Sequence, residues 1–138
     1  MLALAGFLTG VPLAELPNSM RGTPNGSTVD SWPWIWKEFK KEGFLTMFLQ
    51  DSPQIGPFQF RMLGFQHQPT DYYGRNFYLL AEDFIDKQKA PTDFCLGGRP
   101  KHIVFLEYIH EFLRQHGNKR FFLFANSLEF SHDDIAKV

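Results

Sequence analysis

The sequence has almost no surplus charge. Its 14 Lys and Arg stand against 15 Asp and Glu, giving a net charge of -1, and the basic residues form no stripe. A nucleic-acid surface needs clustered cations. Lys37, Lys40 and Lys41 read as the solvated face of one helix, so nucleic-acid binding has no support. There is one cysteine, Cys95, which excludes an internal disulfide. It is a spare thiol in a cytosolic protein, or half of a bond to something outside the chain in a secreted one. No apolar run is long enough to span a bilayer. The apolar start, MLALAGFLTGVPLAEL, has no Lys or Arg ahead of it, so the charged region of a signal peptide is missing. No internal repeat, G-x-S-x-G elbow, Walker-type loop or C-x-x-C pair occurs.

Aromatic residues, by contrast, are abundant: 17% of the chain, with 16 Phe. Rings bury large areas, so this content implies a large core or a surface that packs on further protein. The length of 138 residues suits one modest domain, and 43% hydrophobic with 21% charged residues is a globular composition.

The pattern along the chain alternates helix and strand. Met1 to Leu8 is helix-compatible, with Gly10 and Pro12 as a stop. Residues 17–30 hold little that could form a core and read as an exposed loop. Within it, Asn25-Gly26-Ser27 is a glycosylation sequon, available if the chain enters the secretory route. A helix is predicted from Asp30 or Ser31, with Pro33 in its first turn and Trp32, Ile35, Trp36 and Phe39 at helical spacing, ending at Gly43. Phe44 to Leu49 is a buried strand that runs into Gln50 and Asp51. Prolines and glycines interrupt residues 51–75. A second helix is expected over Asn76 to Lys87, with Phe77, Leu80, Ala81 and Phe84 on one face. A third runs from Pro100 to His116 with Val104, Phe105, Tyr108, Ile109, Phe112 and Leu113 as a wide apolar face. Phe121 to Ala125 is a second buried strand, leading into the polar segment with Ser131-His132-Asp133-Asp134. Two helix-then-strand units predict an α/β fold with a mostly parallel sheet flanked by helices. Site residues of such sheets collect beyond the carboxyl ends of the strands, which places Asp51 and the SHDD segment on one edge.

WPWIWKEFKKEGFLTMFLQDSPQIGPFQFRMLGF, PTDYYGRNF, CLGGRPKH and LEFSHDD, in that order, resemble the metazoan family called domain of unknown function 229, a sulfatase-like branch of the alkaline-phosphatase-like superfamily. The resemblance covers roughly Leu4 to Asp134. It implies a partial alkaline-phosphatase-like sandwich over residues 1–138, from a parent domain that hydrolyses phosphate or sulfate esters with divalent metals and an activated nucleophile. Leu8-Thr9-Gly10 matches the end of the helix that follows the nucleophile in relatives, which puts the nucleophile just before Met1; the later metal-binding Asp-His pair would lie beyond Val138. The resemblance therefore implies an internal fragment, inactive alone, whose partner is the remainder of the parent domain. The family likeness, Cys95 and Asn25 together lean towards a secreted or extracellular protein. A non-catalytic binding or pseudoenzyme module using the aromatic-rich surface is the alternative.

Within the resemblance, His132 falls where sulfatase-like enzymes place a strand-end His near the substrate anion; it could equally brace a turn. Asp133 and Asp134 suit a hard cation, and also suit a helix N-terminus. Relatives carry a Lys and a His after the strand that Asp51 follows. Gln50-Asp51-Ser52-Pro53 offers neither, so Asp51 is expected to order its loop. Asp71 and Arg75 could bracket a substrate, or form a structural ion pair. His110 and His116, six apart on a helix, fall on different faces and do not chelate.

Overall fold

A computed structural model describes residues 2–88, 95–96 and 98–128. His132, Asp133 and Asp134 lie outside them. Helix α1 (Leu2–Thr9) ends at Gly10, whose φ of +70° is open to glycine at little cost. Ala5 and Leu8 are fully buried, so this segment is a core helix. The stretch 17–30 is less peripheral than its composition suggests. Val29 and Ser19 are buried, Met20 bridges to Met62, and the Trp32 indole N–H donates to the Pro17 carbonyl at 3.1 Å.

The helix expected from Asp30 starts later. Val29–Ser31 forms a single 3-10 turn, and α2 covers only Ile35–Lys41. The reason is Pro33, which disfavours helical backbone in the residue before it. Trp32 and Trp34 are both extended, with ψ of 150° and 133°. Burial consequently alternates: Trp32, Trp34 and Trp36 point inward while Ile35 is exposed. Trp34 stacks on Trp36 with ring centres 4.5 Å apart and on Trp32 at 5.3 Å, and Phe58 meets it edge-on at 4.8 Å. The Trp34 indole donates to the Val29 carbonyl at 2.7 Å. Each buried ring of this size contributes at most about 4–6 kcal/mol of transfer free energy.

The sheet has strand order β2-β1-β5, all parallel, with β1 (Leu45–Gln50) between β2 (Tyr72–Tyr73) and β5 (Phe121–Asn126). Leu45 pairs with Phe121 and Gln50 with Asn126, so the two longer strands end together. β1 is covered on both faces, which is why it reads as a mostly apolar run rather than an alternating one. Phe48 faces the tryptophan cluster with α1 and α2. Met47 and Leu49 face the other way, towards Tyr78 of α3 (Arg75–Gln88) and Phe105 and Phe112 of α4 (Lys101–His116). A two-residue hairpin, β3 (Cys95–Leu96) with β4 (Arg99–Pro100), precedes α4. The chain is thus an α/β fold with a parallel sheet flanked by helices, the architecture that the helix and strand pattern predicts.

The inward face of α3 differs from the expected one, and that of α4 is the expected one without Leu113. Phe77 and Leu80 are exposed on α3, and the buried ring is the neighbouring Tyr78. On α4 only Phe105 and Phe112 are buried, Tyr108 and Ile109 pack at the margin, and Leu113 is exposed. Both helices carry apolar residues around more of the cylinder than the sheet can cover, so periodicity alone does not select the inward side.

Candidate functional site

The carboxyl edge of the sheet brings together residues from opposite halves of the chain. Asp51, immediately after β1, is 4% exposed. It accepts hydrogen bonds from the Ser127 hydroxyl and from the Leu128 backbone N–H at 2.7 Å, both just after β5. A buried carboxylate is tolerated only when its oxygens are satisfied, and these donors do that. Asp51 therefore orders the segment after β5 and ties the two strand ends to one another.

Beside it Gln50 is fully buried. Its Nε2 donates to Gln59 Oε1 at 3.2 Å, and Gln59 Nε2 donates to the Tyr73 hydroxyl at 2.6 Å. Gln50 Oε1 has no hydrogen-bond partner among the described residues. Gly56 makes room for this chain of amides, since a Cβ there would meet Gln50 Nε2 at 2.2 Å and Gln59 Oε1 at 2.7 Å. Burial holds the Tyr73 phenol well above its ordinary value, with Arg75 and the Gln59 hydrogen bond pulling the other way. Tyr73 is therefore a neutral hydroxyl at any physiological pH. Sequence reading missed Gln50, Gln59 and Tyr73. None titrates near neutrality and no motif spaces them; the single signal was a glycine between two apolar residues in an irregular stretch.

Asp71 and Arg75 are not brought together. Asp71 precedes β2, at the amino edge of the sheet, where it pairs with Lys40 Nζ at 2.6 Å and accepts from the Thr46 N–H and hydroxyl at 2.9 and 2.8 Å. Burial would raise its carboxyl, but these partners outweigh it and hold the group below its ordinary value. Arg75 follows β2 at the other end and makes no ion pair with Asp71 or with any other described residue; its Nε is buried without a hydrogen-bond partner. Asn25 is exposed with φ of 58°, in the loop that carries the sequon. Cys95 is a free, half-buried thiol on β3.

Among the described residues no three His, Cys, Asp or Glu side chains converge where a metal ion could be held, and both Asp51 oxygens are engaged by donors. These residues do not supply a ligand set. A family model described as "Protein of unknown function (DUF229)" matches residues 1–138. No curated protein and no solved structure matches the chain. A match over the whole length settles the membership that the ordered motifs suggested: the chain belongs to the DUF229 family.

Proposed function

We propose that this chain is part of a sulfatase- or phosphatase-like, metal-dependent ester hydrolase domain and is inactive alone, with the nucleophile and most metal ligands of that domain supplied from outside it. The observation that carries this reading is the shared carboxyl edge. Parallel strands β1 and β5 end in register, and Asp51 fastens the segment that leads, four residues after Leu128, to His132. Open α/β sheets bind ligands beyond such an edge. The family's alkaline-phosphatase-like resemblance supplies the chemistry: an ester whose anionic oxygens are neutralised by divalent metal and by donors such as His132, with Asp133 and Asp134 as further oxygen ligands.

The test is hydrolysis of an aryl phosphate and an aryl sulfate by the purified chain with added magnesium, calcium, manganese or zinc. No turnover above a His132→Ala control is expected. Turnover that His132→Ala abolishes would show that the chain is itself an enzyme. The longest form encoded at the same locus should hydrolyse one of the two esters and lose roughly 100-fold or more with His132→Ala; a long form with no esterase activity would remove the hydrolase reading.

A second reading, a non-catalytic binding module, draws on exposed apolar residues: Phe7 is 72%, Leu80 71% and Phe60 59% exposed. Cooperative unfolding of a monodisperse monomer would favour it, and aggregation would count against it.

A further inference from the structure

We propose that a recess between Arg21 and Arg75, at the carboxyl end of β2, binds a small oxyanion. The two guanidinium groups come from segments far apart in sequence and line one cavity of about 210 Å³ together with Gln59, Tyr73 and Asn76. That volume lies below the ~300 Å³ at which pockets for drug-sized ligands begin, and suits an ion with some water.

The hydrogen-bonding groups are arranged as donors. Arg75 Nε is buried without a partner, an unfavourable arrangement unless something accepts from it. Tyr73 uses its oxygen to accept from Gln59 Nε2, which leaves its proton for an acceptor that no described residue provides. Arg21 Nε and Nη2 both donate to the Gln59 carbonyl, at 3.2 and 2.9 Å, which fixes that guanidinium while leaving Nη1 outside the fork. Neither arginine forms an ion pair with a described residue. Asp30 lies outside this lining but close enough to act on Tyr73, and its oxygens accept from the Gln66 and His67 N–H groups at 2.8 and 2.9 Å. Two arginines and no described carboxylate line the recess, which leaves it positive. A guanidinium fork matches the spacing of carboxylate and phosphate oxygens, so the shared ligand chemistry is a small oxyanion. The assignment does not rest on ester hydrolysis and stands whether or not the domain turns over any substrate.

Titrating the isotopically labelled chain with inorganic phosphate, sulfate and succinate, each against chloride at matched ionic strength, tests this by NMR. The Arg75 Nε–H resonance should be protected from exchange and should shift saturably with at least one of the three. Which anion shifts it separates a tetrahedral from a carboxylate ligand. Arg75→Gln, which keeps the aliphatic stem, should weaken binding by roughly tenfold or more by calorimetry. Arg21→Gln should weaken it as well. An Arg75 resonance unmoved by all three anions at millimolar concentration would overturn the proposal, and that measurement decides the matter even if a variant fails to fold. Saturable binding that Arg75→Gln leaves unchanged would also overturn it, since the ion would then sit elsewhere.

Discussion

The two faces of the sheet are finished to different degrees. On one side α1, α2 and the irregular segment after β1 enclose three fully buried tryptophans, Phe58, Phe48 and Met62. Ring contacts there run from Trp32 through Trp34 and Trp36 to Phe48 and on to Tyr73. On the other side, among the described residues, α3 and α4 bury Met47, Leu49, Tyr78, Phe105 and Phe112, while Leu80, Leu106, Ile103 and Leu113 stay exposed on the outer side of the same helices. β5, at the sheet's border, is half-buried along its whole length, whereas β1 beside it is covered. The apolar content therefore has two separate causes. Part is a dense core, and part is apolar helix surface in excess of what the sheet can hide.

The sharpest way to break this contrast is to truncate one ring on each face. Trp34→Ala should cost about 3–5 kcal/mol of unfolding free energy, because its stacked neighbours cannot close the gap and its hydrogen bond to Val29 is lost. Phe112→Ala, in the thinner cluster, should cost about 3 kcal/mol or less. Equal losses in denaturant titrations would mean that the two faces are equally well packed. A smaller effect is expected at the junction of β2 and α3. A Cβ on Gly74 would lie 2.1 Å from Leu49 Cδ1, so Gly74→Ala should destabilise by about 1–3 kcal/mol by the same measurement.

Acid probes the tryptophan side next. Asp30 and Asp71 both ionise more readily than an ordinary aspartate at 3.8, although burial acts against it. Their folded-state values are depressed, so the stability they lend is complete above the unfolded value and drains away as pH falls through the folded one. Unfolding free energy should therefore drop below pH 3.8, and Asp71→Asn should flatten that slope while costing about 1 kcal/mol near neutrality. A slope unchanged in Asp71→Asn would assign the acid sensitivity elsewhere. The smallest effect belongs to the outer helix face. Leu106→Glu should alter stability by no more than about 0.5 kcal/mol while reducing self-association in light scattering. A large loss would show that Leu106 belongs to a core.

Much of this was legible from residue order. The strands at 45–50 and 121–126 are mostly apolar runs, and their parallel pairing followed from the helices between them. α4 began one residue after Pro100, as expected of a helix opened by proline. Three things were not legible. Pro33 acts on the residue before it, which turned an anticipated helical face into an alternating Trp32-Trp34-Trp36 wall. Strand β2 has only two residues, too few for any periodicity. The Gln50-Gln59-Tyr73 amide chain depends on a loop geometry set by tertiary packing, and its neutral side chains carry no motif. Asp51 was placed at the correct edge because strand ends are predictable, while its partners, Ser127 and Leu128, came only from the fold.

The pairing of β1 with β5 also sets a schedule. Leu45 finds its partner Phe121 only 76 positions later. At ribosomal rates of about 5–20 residues per second, on the order of 4–15 s separate the synthesis of the two strands. Throughout that interval the more deeply buried of the two long strands lacks its longest neighbour, and contacts of such high sequence separation form slowly even once the chain is complete. The nascent protein should accordingly depend on holding chaperones during this window, and slowing translation just after Gln50 should lengthen its exposure to aggregation.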